Sequence, residues 1–454
     1  MRYLPHTESE QREMLDVIGV SDLEQLFADV PEHSRFPELA LAEPLSELEL
    51  ARHMRTLAEH NQHTGDKLCF LGAGAYQHFV PATVDEVLRR GEFYSAYTPY
   101  QAEASQGMLQ AMFEYQTMIC RLTGMDVATA SHYDGSTALA EAVRMALHAG
   151  GRSRNRVIVS PAVNPRYREV VHSYLQGTVA ELVGEQTSIR ATADNLHNLS
   201  ALVDDQTAAL VIQSPNFLGQ FENVAGLADA VHAAGALLIV VADPVALGRF
   251  QSPGAYGADV VVADGQPLGI PLSFGGPYLG VFAARRKHVH HLPGRLVGET
   301  VDADGRRGYV LTLAAREQHV RRARATSNIC TNAGLMALAA AAYMATLGAT
   351  GLREVAQLCY HKSHYAAQQI AGIPGLRINP QAPDKAFFKE FAVSLPQPVA
   401  TVNRVLADEF GVLGGYDLAQ LNPEFEGHML LAVTEMHSKS DIDRLVQGLR
   451  VATA

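Results

Sequence analysis

Two polar side chains follow neighbouring apolar runs of the chain, and their types bear directly on chemistry. Asp243 comes after the run 237–242, and Gln266 comes shortly after the run 260–263. If both runs are strands of one sheet, their carboxyl ends lie at the edge where open α/β sheets bind ligands. An acid beside a second functional group is the arrangement of a cofactor site. An amine at position 266 would allow covalent attachment of a carbonyl cofactor, but the glutamine amide is not nucleophilic enough.

A second group of candidate residues lies in the aromatic loop 93–107. Within it, Tyr97-Thr-Pro-Tyr-Gln101 combines phenols, a hydroxyl, an amide and a proline-fixed bend. Such groups supply directional hydrogen bonds to a small polar ligand, and function concentrates in loops that rigid elements hold. The alternative is a helix entry in which Tyr97 and Tyr100 only pack. We favour a ligand site or an interface.

A third candidate is the turn into the amphipathic helix that follows residue 134. The amides of Gly135, Ser136 and Thr137, together with two hydroxyls, form a corner that could bind a phosphate at a helix N-terminus. An ordinary helix capped by serine or threonine would have the same sequence. This motif alone therefore leaves both interpretations open.

Three other motifs carry weaker signals. Gly72-x-Gly74 suggests a dinucleotide-binding turn, but Gln77 occupies the third glycine position and no clear strand precedes it, so a tight turn is the better interpretation. The histidines of 287–291 have no carboxylate or cysteine nearby, and we predict no metal site. The basic run 321–324 is better explained by a salt-bridged helix face or an anion pocket than by nucleic-acid binding.

The elements that position these residues alternate between strand and helix, which predicts a mostly parallel sheet covered on both faces. Residues 259–280 predict a buried strand, a turn, a Gly-Gly hairpin and a returning strand. Periodicity predicts further strands at 156–160, 178–183, 208–213 and 236–242, with helices at 167–174 and 227–234.

We predict three regions along the chain. Residues 1–60 form a helical arm, with Ser9 and Ser46 as helix caps, that packs over the main domain or over a neighbouring subunit. Residues 61–332 form a large α/β domain. Residues 333–454 contain a linking helix and a small C-terminal α+β domain, with strands at 388–395 and 428–434 and a closing helix at 440–449. This is the outline of the fold-type I pyridoxal-phosphate (PLP) enzymes.

Composition narrows the class of protein. A net charge of −12 over 454 residues disfavours nonspecific nucleic-acid binding. The four cysteines lie far apart, which indicates a reducing cytoplasm, and the first residues lack the features of a signal peptide. The alanine-rich stretch 333–349 is of marginal length for a membrane span, so we predict a packed internal helix and no membrane role. Small molecules and proteins are the expected partners.

Four long strings resemble the glycine cleavage system P-protein, and the likeness covers essentially the whole chain. It concerns the N-terminal half of that protein, which in many prokaryotes is a separate subunit. The strings are EFYSAYTPYQAEASQGMLQ at 92–110, GIPLSFGGPYLG at 269–280, PGRLVGET at 293–300 and REQHVRRARATSNICT at 316–331.

The resemblance implies a fold-type I subunit of an α2β2 heterotetramer, in which a homologous second subunit carries PLP on a Schiff-base lysine. The family pattern places Gln266 where that lysine would be. Asp243 takes the place of the acid that would stabilise a protonated pyridine nitrogen, and we interpret it here as a relic that caps a strand end or holds structure. With Gly135, Ser136 and Thr137, these residues would form a vestigial cofactor cradle.

The implied reaction of the complex is the decarboxylation of glycine and transfer of its aminomethyl group to the lipoyl arm of H-protein. This chain would carry no covalently bound cofactor, no nucleophile and no general base. Its contribution would come from residues that approach the partner's PLP or glycine, which we predict to be Tyr97, Thr98, Tyr100, Gln101, Asn328 and Thr331.

Two alternatives stay open from the sequence. The chain could be a self-sufficient PLP enzyme that uses another lysine, such as Lys67 or Lys287. It could also be a non-catalytic assembly or regulatory protein that has kept only the fold.

Overall fold

The computed structural model describes residues 5–35, 40–94, 98–151, 153–184, 196–325, 327–330 and 333–454. The chain divides into two compact units, the first ending at Gln62 and the second running from His63 to Ala454. The helices are α1 (Glu8–Ile18), α2 (Glu47–Ala58), α3 (Ala82–Leu88), α4 (Gly91–Tyr94), α5 (Gln106–Thr123), α6 (Gly135–Gly150), α7 (Pro165–Leu175), α8 (Leu196–Ser200), α9 (Leu227–Ala233), α10 (Gln318–Arg321), α11 (Gly334–Ala371), α12 (Val399–Phe410) and α13 (Lys439–Thr453).

The strands lie within the second unit. They are β1 (Leu68–Cys69), β2 (Val127–Ala128), β3 (Arg156–Val159), β4 (Glu181–Val183), β5 (Thr207–Ser214), β6 (Leu237–Ala242), β7 (Val260–Asp264), β8 (Gly280–Ala284), β9 (Leu296–Val301), β10 (Arg307–Thr312), β11 (Arg377–Ile378), β12 (Glu390–Ser394), β13 (Val412–Leu413), β14 (Tyr416–Asp417) and β15 (His428–Ala432).

The first unit is helical and contains no buried residue among those that the structure describes. Capping boxes begin both of its α-helices, Thr7 with Glu10 in α1 and Ser46 with Glu49 in α2. The prediction of Ser46 as a cap is confirmed, whereas Ser9 was the wrong cap for α1. Thr7 has the glutamate three residues later that a capping box requires, and Ser9 does not.

A seven-stranded sheet forms the centre of the second unit, in the order β2-β8-β7-β6-β5-β3-β4. The run from β7 to β4 is parallel, and β8 is antiparallel to both of its neighbours, β7 and β2. Its side chains alternate between two cores. One face packs against α5 and α11, and the other against α6 and α7. Because both faces are covered, the central strands are continuous apolar runs, and the prediction of a mostly parallel sheet covered on both faces is confirmed.

The smaller C-terminal part has a four-stranded antiparallel sheet in the order β11-β12-β15-β14. Helices α12, α13 and the end of α11 pack against it around a separate core. The predicted strands at 388–395 and 428–434 correspond to β12 and β15, and the closing helix corresponds to α13.

The link between β7 and β8 and the length of helix α11 differ from what the sequence predicted. Strands β7 and β8 are antiparallel neighbours as predicted, but residues 265–279 connect them with a 3-10 turn at Ser273–Gly275, so the link is not a tight Gly-Gly hairpin. The alanine-rich stretch belongs to α11, a helix of 38 residues that kinks at Gly348.

By length and composition alone α11 could cross a membrane, but a core helix of a soluble protein passes the same test. Ala337 and Ala340 of this helix pack in the core of the large domain, and Ala366 and Ile370 pack in that of the small domain. These contacts favour the predicted internal helix over a span.

Candidate functional site

Gln266 is buried just beyond the end of β7 and binds backbone groups with its whole amide. Its Oε1 accepts from the amide of Tyr76 at 2.9 Å, and its Nε2 donates to the carbonyls of Tyr76 at 2.9 Å and Ile270 at 2.8 Å. The side chain therefore fastens the segment around Tyr76 to the edge of the sheet. It is a structural link, with no group left over for chemistry.

At the N-terminus of α6, the polar groups predicted to bind a phosphate donate hydrogen bonds to carboxylates of the chain itself. Asp134 is the N-cap, and its Oδ1 accepts from the amide of Thr137 and from the hydroxyl of Ser136, both at 2.7 Å. The amide of Gly135 donates to Oδ2 of Asp264 at 3.1 Å. A Cβ on Gly135 would lie 2.7 Å from the backbone nitrogen of Asp264, so only glycine permits this approach.

Asp243, at the end of β6, has a lysine as its partner. Oδ2 of Asp243 lies 2.6 Å from Nζ of Lys389, which is only 1 % exposed. The same ammonium lies 3.4 Å from the centroid of the Tyr76 ring, where a cation–π interaction stabilises it. Oδ1 of Asp243 accepts from the amides of Val245 and Ala246. A lysine cation therefore stands beside the acid that would otherwise face a pyridinium.

Glu390 completes this network from β12 of the small domain. Its Oε1 accepts from the amide of Ala73 at 2.6 Å, and its Oε2 accepts from the Tyr76 hydroxyl at 2.7 Å. Burial raises the pKa of Glu390 to about 7, and hydrogen bonds and Lys389 only partly offset it. Burial likewise raises the pKa of Asp264 to about 7, against the hydrogen bonds from Gln266 and Gly135.

Replacing Glu390 by glutamine is expected to make stability less dependent on pH. An acid whose pKa is raised in the folded state contributes stability that is fully present below its unfolded pKa and lost as pH rises through its folded pKa. For Glu390 this window runs from its ordinary value of 4.5 to about 7. The free energy of unfolding can be measured by urea denaturation at pH 5 and at pH 8. From the lower to the higher pH, it should fall by about 2–3 kcal/mol less in Glu390→Gln than in the wild type.

The control for this measurement is Glu426→Gln, at an exposed position of the same domain. It should keep the pH dependence of the wild type. Equal pH slopes for wild type and Glu390→Gln would show that Glu390 does not hold a proton in the folded protein.

PLP does not fit the cradle of this chain. The cavity between Tyr76, Tyr167, Asp243 and Asp264 has a volume of about 40 Å³, enough for roughly three water molecules, whereas ligand pockets begin at about 300 Å³. Asp134 and Asp264 would repel a phosphate at the start of α6, and Lys389 already pairs with Asp243. Gly135 and Gln266 both donate a backbone amide hydrogen bond to Asp264, which lines this cavity with Asp243, so the predicted cradle residues do come together. Their remaining polar groups bind other side chains and backbone groups of the same chain.

Four of the residues predicted to act on a partner, Thr98, Tyr100, Gln101 and Asn328, lie in two neighbouring loops, 98–101 and 327–330, which we call the interface loops. The two loops are in contact, because Oγ1 of Thr98 lies 3.6 Å from Sγ of Cys330. Tyr100, Gln101 and Asn328 are exposed. Tyr97 and Thr331 lie outside the described residues.

Tyr100 stands on a charged cluster that sequence reasoning missed. Its hydroxyl accepts from Nη2 of Arg295 at 2.7 Å, and its ring packs edge-on against His319 with centroids 5.5 Å apart. Arg295 forms a buried ion pair with Glu317. This cluster holds the phenol in a fixed position at the surface.

Lys389 and Glu390 were also missed, although the sequence carried a signal for them. Two adjacent charged residues begin a strand that is otherwise apolar, and such residues are rarely buried without partners. Their partners come from the large domain, far away in sequence, so the pattern could flag the residues but could not predict their contacts.

The described residues also contain a cluster of His78, Cys359 and Glu435, whose possible metal-binding atoms lie within 4.8 Å of one another. Nδ1 of His78 lies 2.7 Å from Glu435 Oε2, and the amide of Phe79 donates to Oε1 at 2.8 Å. These contacts occupy the carboxylate, so the cluster is explained as a link between residues 78–79 and the small domain.

Comparison with known proteins gives consistent results. Residues 1–449 match the family described as the glycine cleavage system P-protein. The chain is 50 % identical to the probable glycine dehydrogenase (decarboxylating) subunit 1 of Thermomicrobium roseum, covering 100 % of both chains. It is also 50 % identical to the protein of the same description from Brevibacillus brevis, covering 100 % of this chain and 99 % of that protein.

Among solved structures, the chain is similar to a glycine decarboxylase (P-protein) of the glycine cleavage system in inhibitor-bound form. The TM-score is 0.87 and the identity 46 %, with complete coverage of both chains. The Escherichia coli cysteine desulfurase CsdA has a TM-score of 0.62 at 17 % identity, covering 88 % of this chain and 98 % of that one, which shows the fold alone.

Proposed function

We infer that the chain, which belongs to the glycine cleavage system P-protein family, acts as a subunit of glycine dehydrogenase (decarboxylating) within a glycine decarboxylase complex. The observation that carries this is full-length similarity to proteins described as subunit 1 of that enzyme. A protein described as subunit 1 needs a partner subunit to complete the enzyme.

We further propose that PLP is carried by the partner and that this chain binds none. The support comes from the cradle, where Gln266 is saturated by backbone groups, Asp243 pairs with Lys389 and carboxylates satisfy the start of α6. The partner would be a second P-protein subunit in an α2β2 assembly that passes the aminomethyl group of glycine to the lipoyl arm of H-protein. The cytoplasm is the proposed location, since Cys69, Cys120 and Cys359 form no disulfide with any described residue.

A self-sufficient enzyme that uses Lys67 or Lys287 is disfavoured by where these two lysines lie. Lys287 pairs at 2.8 Å with Asp259, which precedes β7, whereas the cradle lies at the other end of that strand. Lys67 donates to the carbonyl of Ala407 in α12 at 2.8 Å. Neither ammonium points to a carbonyl cofactor beside Asp243.

The purified chain is expected to catalyse no exchange of the glycine carboxyl group with bicarbonate until the second subunit is added. The test combines the two purified subunits, measures exchange with labelled bicarbonate and determines the mass of the complex. Exchange by this chain alone would overturn the proposed division of labour. A complex that assembles and turns over without any need for this chain's interface loops would favour an assembly protein.

Substitutions in the interface loops should separate these roles. We propose that Thr98, Tyr100, Gln101 and Asn328 contact the partner's cofactor or glycine, as we also predict for Tyr97 and Thr331. In the assembled complex, Gln101→Ala should lower the exchange rate about tenfold, the effect of losing one hydrogen bond of roughly 1.4 kcal/mol.

The matched control is Gln110→Ala on α5, which removes an exposed amide that donates to Glu114 at 2.8 Å. It should leave the exchange rate unchanged. If Gln101→Ala also keeps the wild-type rate in an intact complex, this loop does not reach the reacting groups.

A further inference from the structure

Arg316, beside the charged cluster beneath Tyr100, is a cation whose binding edge has no partner among the described residues. Its Nη1 donates to the carbonyl of Leu292. Its Nε and Nη2 are shielded from solvent and form no hydrogen bond with any described residue. These two nitrogens form one edge of the guanidinium, which binds the two oxygens of a carboxylate or phosphate side by side.

No carboxylate of the described residues forms an ion pair with Arg316. The neighbouring acid, Glu317, pairs with Arg295 instead. Burial, and then repulsion by Arg295, lower the pKa of Arg316 to about 10. The local chain adds to the positive potential, because residues 285–324 contain ten arginines and lysines but only four acids, in a protein whose net charge is −12.

A shielded cation without an anion is costly in free energy, so an unpaired arginine edge needs an explanation. A segment without function would not explain why the arginine is there. A methionine or leucine would fill the same space without the free-energy cost of desolvating a cation. An oxyanion from outside the chain would satisfy both nitrogens and offset the repulsion between Arg295 and Arg316.

We propose that Arg316 is a binding residue for an oxyanion, a carboxylate or a phosphate, supplied by a ligand of the assembled enzyme. This proposal rests on the proposed function for its two sources, the carboxylate of glycine and the phosphate of the PLP on the partner. The site lies beside the interface loops, because Arg295 contacts both Tyr100 and Glu317, the residue after Arg316.

The first test uses the full chain alone and inorganic phosphate or acetate as probes. Thermal unfolding is measured in each salt and in chloride at equal ionic strength, for wild type and Arg316→Met. We expect phosphate and acetate to raise the unfolding midpoint of the wild type by several degrees more than that of the variant. In chloride, Arg316→Met should be as stable as wild type or more stable, because it removes an unpaired cation.

A purely structural arginine gives the opposite pattern, in which Arg316→Met lowers the midpoint in every salt by the same amount. That result, or equal midpoints of the wild type in all three salts, overturns the proposal. The matched control is Arg306→Met, which removes an exposed arginine from the same basic segment. It should respond to the salts like the wild type, and an equal loss of response there would show a nonspecific ionic effect and overturn the site.

The second test distinguishes the two sources in the complex with the partner subunit. If Arg316→Met raises the KM for glycine and leaves the PLP affinity, measured by absorbance titration, unchanged, the anion that Arg316 binds is the carboxylate of glycine. Weaker PLP binding in that titration assigns the phosphate. If neither constant changes, Arg316 binds no ligand of this enzyme. Failure of the subunits to assemble would contradict the proposed function but not the anion binding measured on the chain alone.

Discussion

Replacing Asp243 by asparagine is expected to lower the free energy of unfolding by about 3–5 kcal/mol, the usual effect of removing one partner from a buried ion pair. The variant keeps the oxygen that accepts from Val245 and Ala246, so the cap at the end of β6 is preserved. What it loses is the negative charge 2.6 Å from the ammonium of Lys389, a side chain that is 1 % exposed. The Tyr76 ring and Glu390, whose raised pKa of about 7 leaves it only partly charged, do not offset the desolvation of that cation.

The double variant Asp243→Asn, Lys389→Met should recover most of this loss, because no buried charge is left without a partner. Urea denaturation of the wild type, both single variants and the double variant forms a cycle that isolates the coupling between the two residues. A double variant as unstable as Asp243→Asn would show that the pair does not hold the cradle closed.

A second lysine–aspartate pair provides the matched control. Lys439 and Asp443 lie 2.5 Å apart on α13, and both are exposed. Asp443→Asn should cost at most about 0.5 kcal/mol, because water screens surface ion pairs. The contrast between the two pairs tests burial as the cause, since the chemical groups are the same.

Much of the fold could be predicted because local patterns determine it. The apolar runs at β3, β5, β6 and β7 are long enough for buried parallel strands, and the alternation with helices leaves few other topologies. The positions of Asp243 and Gln266 at strand ends followed from the same runs. The predicted cap of α1 was wrong because Thr7, and not Ser9, is followed three residues later by the glutamate that completes a capping box.

The contacts of the candidate site could not be predicted, because they join parts of the chain that are distant in sequence. The sequence places a phosphate-like corner at Gly135, but only the folded sheet brings Asp264 to its amide. It shows an acid at the end of β6, but only the docking of the small domain brings Lys389 to that acid. Local sequence patterns therefore predicted the position of the cradle but not the contacts of Asp264 and Lys389 that occupy it.

Substitution of Gln266 tests whether contacts within the chain hold the cradle closed. Gln266→Leu is expected to lower the free energy of unfolding by about 3–5 kcal/mol. Leucine has similar volume but leaves the amide of Tyr76 and the carbonyls of Tyr76 and Ile270 without partners, at about 1–3 kcal/mol each before relaxation. Amide hydrogen exchange should show faster exchange at Tyr76. Gln110→Leu, on the surface of α5, should change neither quantity.

If Gln266→Leu instead unfolds like the wild type, the segment around Tyr76 is held by other contacts, and Gln266 is a passive replacement for a lysine. The expected loss has a wider meaning, because Tyr76 also binds Glu390 through its hydroxyl and Lys389 through its ring. Releasing its backbone would loosen each contact that fills the cradle. The glutamine is then a link that keeps the cradle closed, which is consistent with the proposal that the interface loops are the part of this chain that approaches the reacting groups.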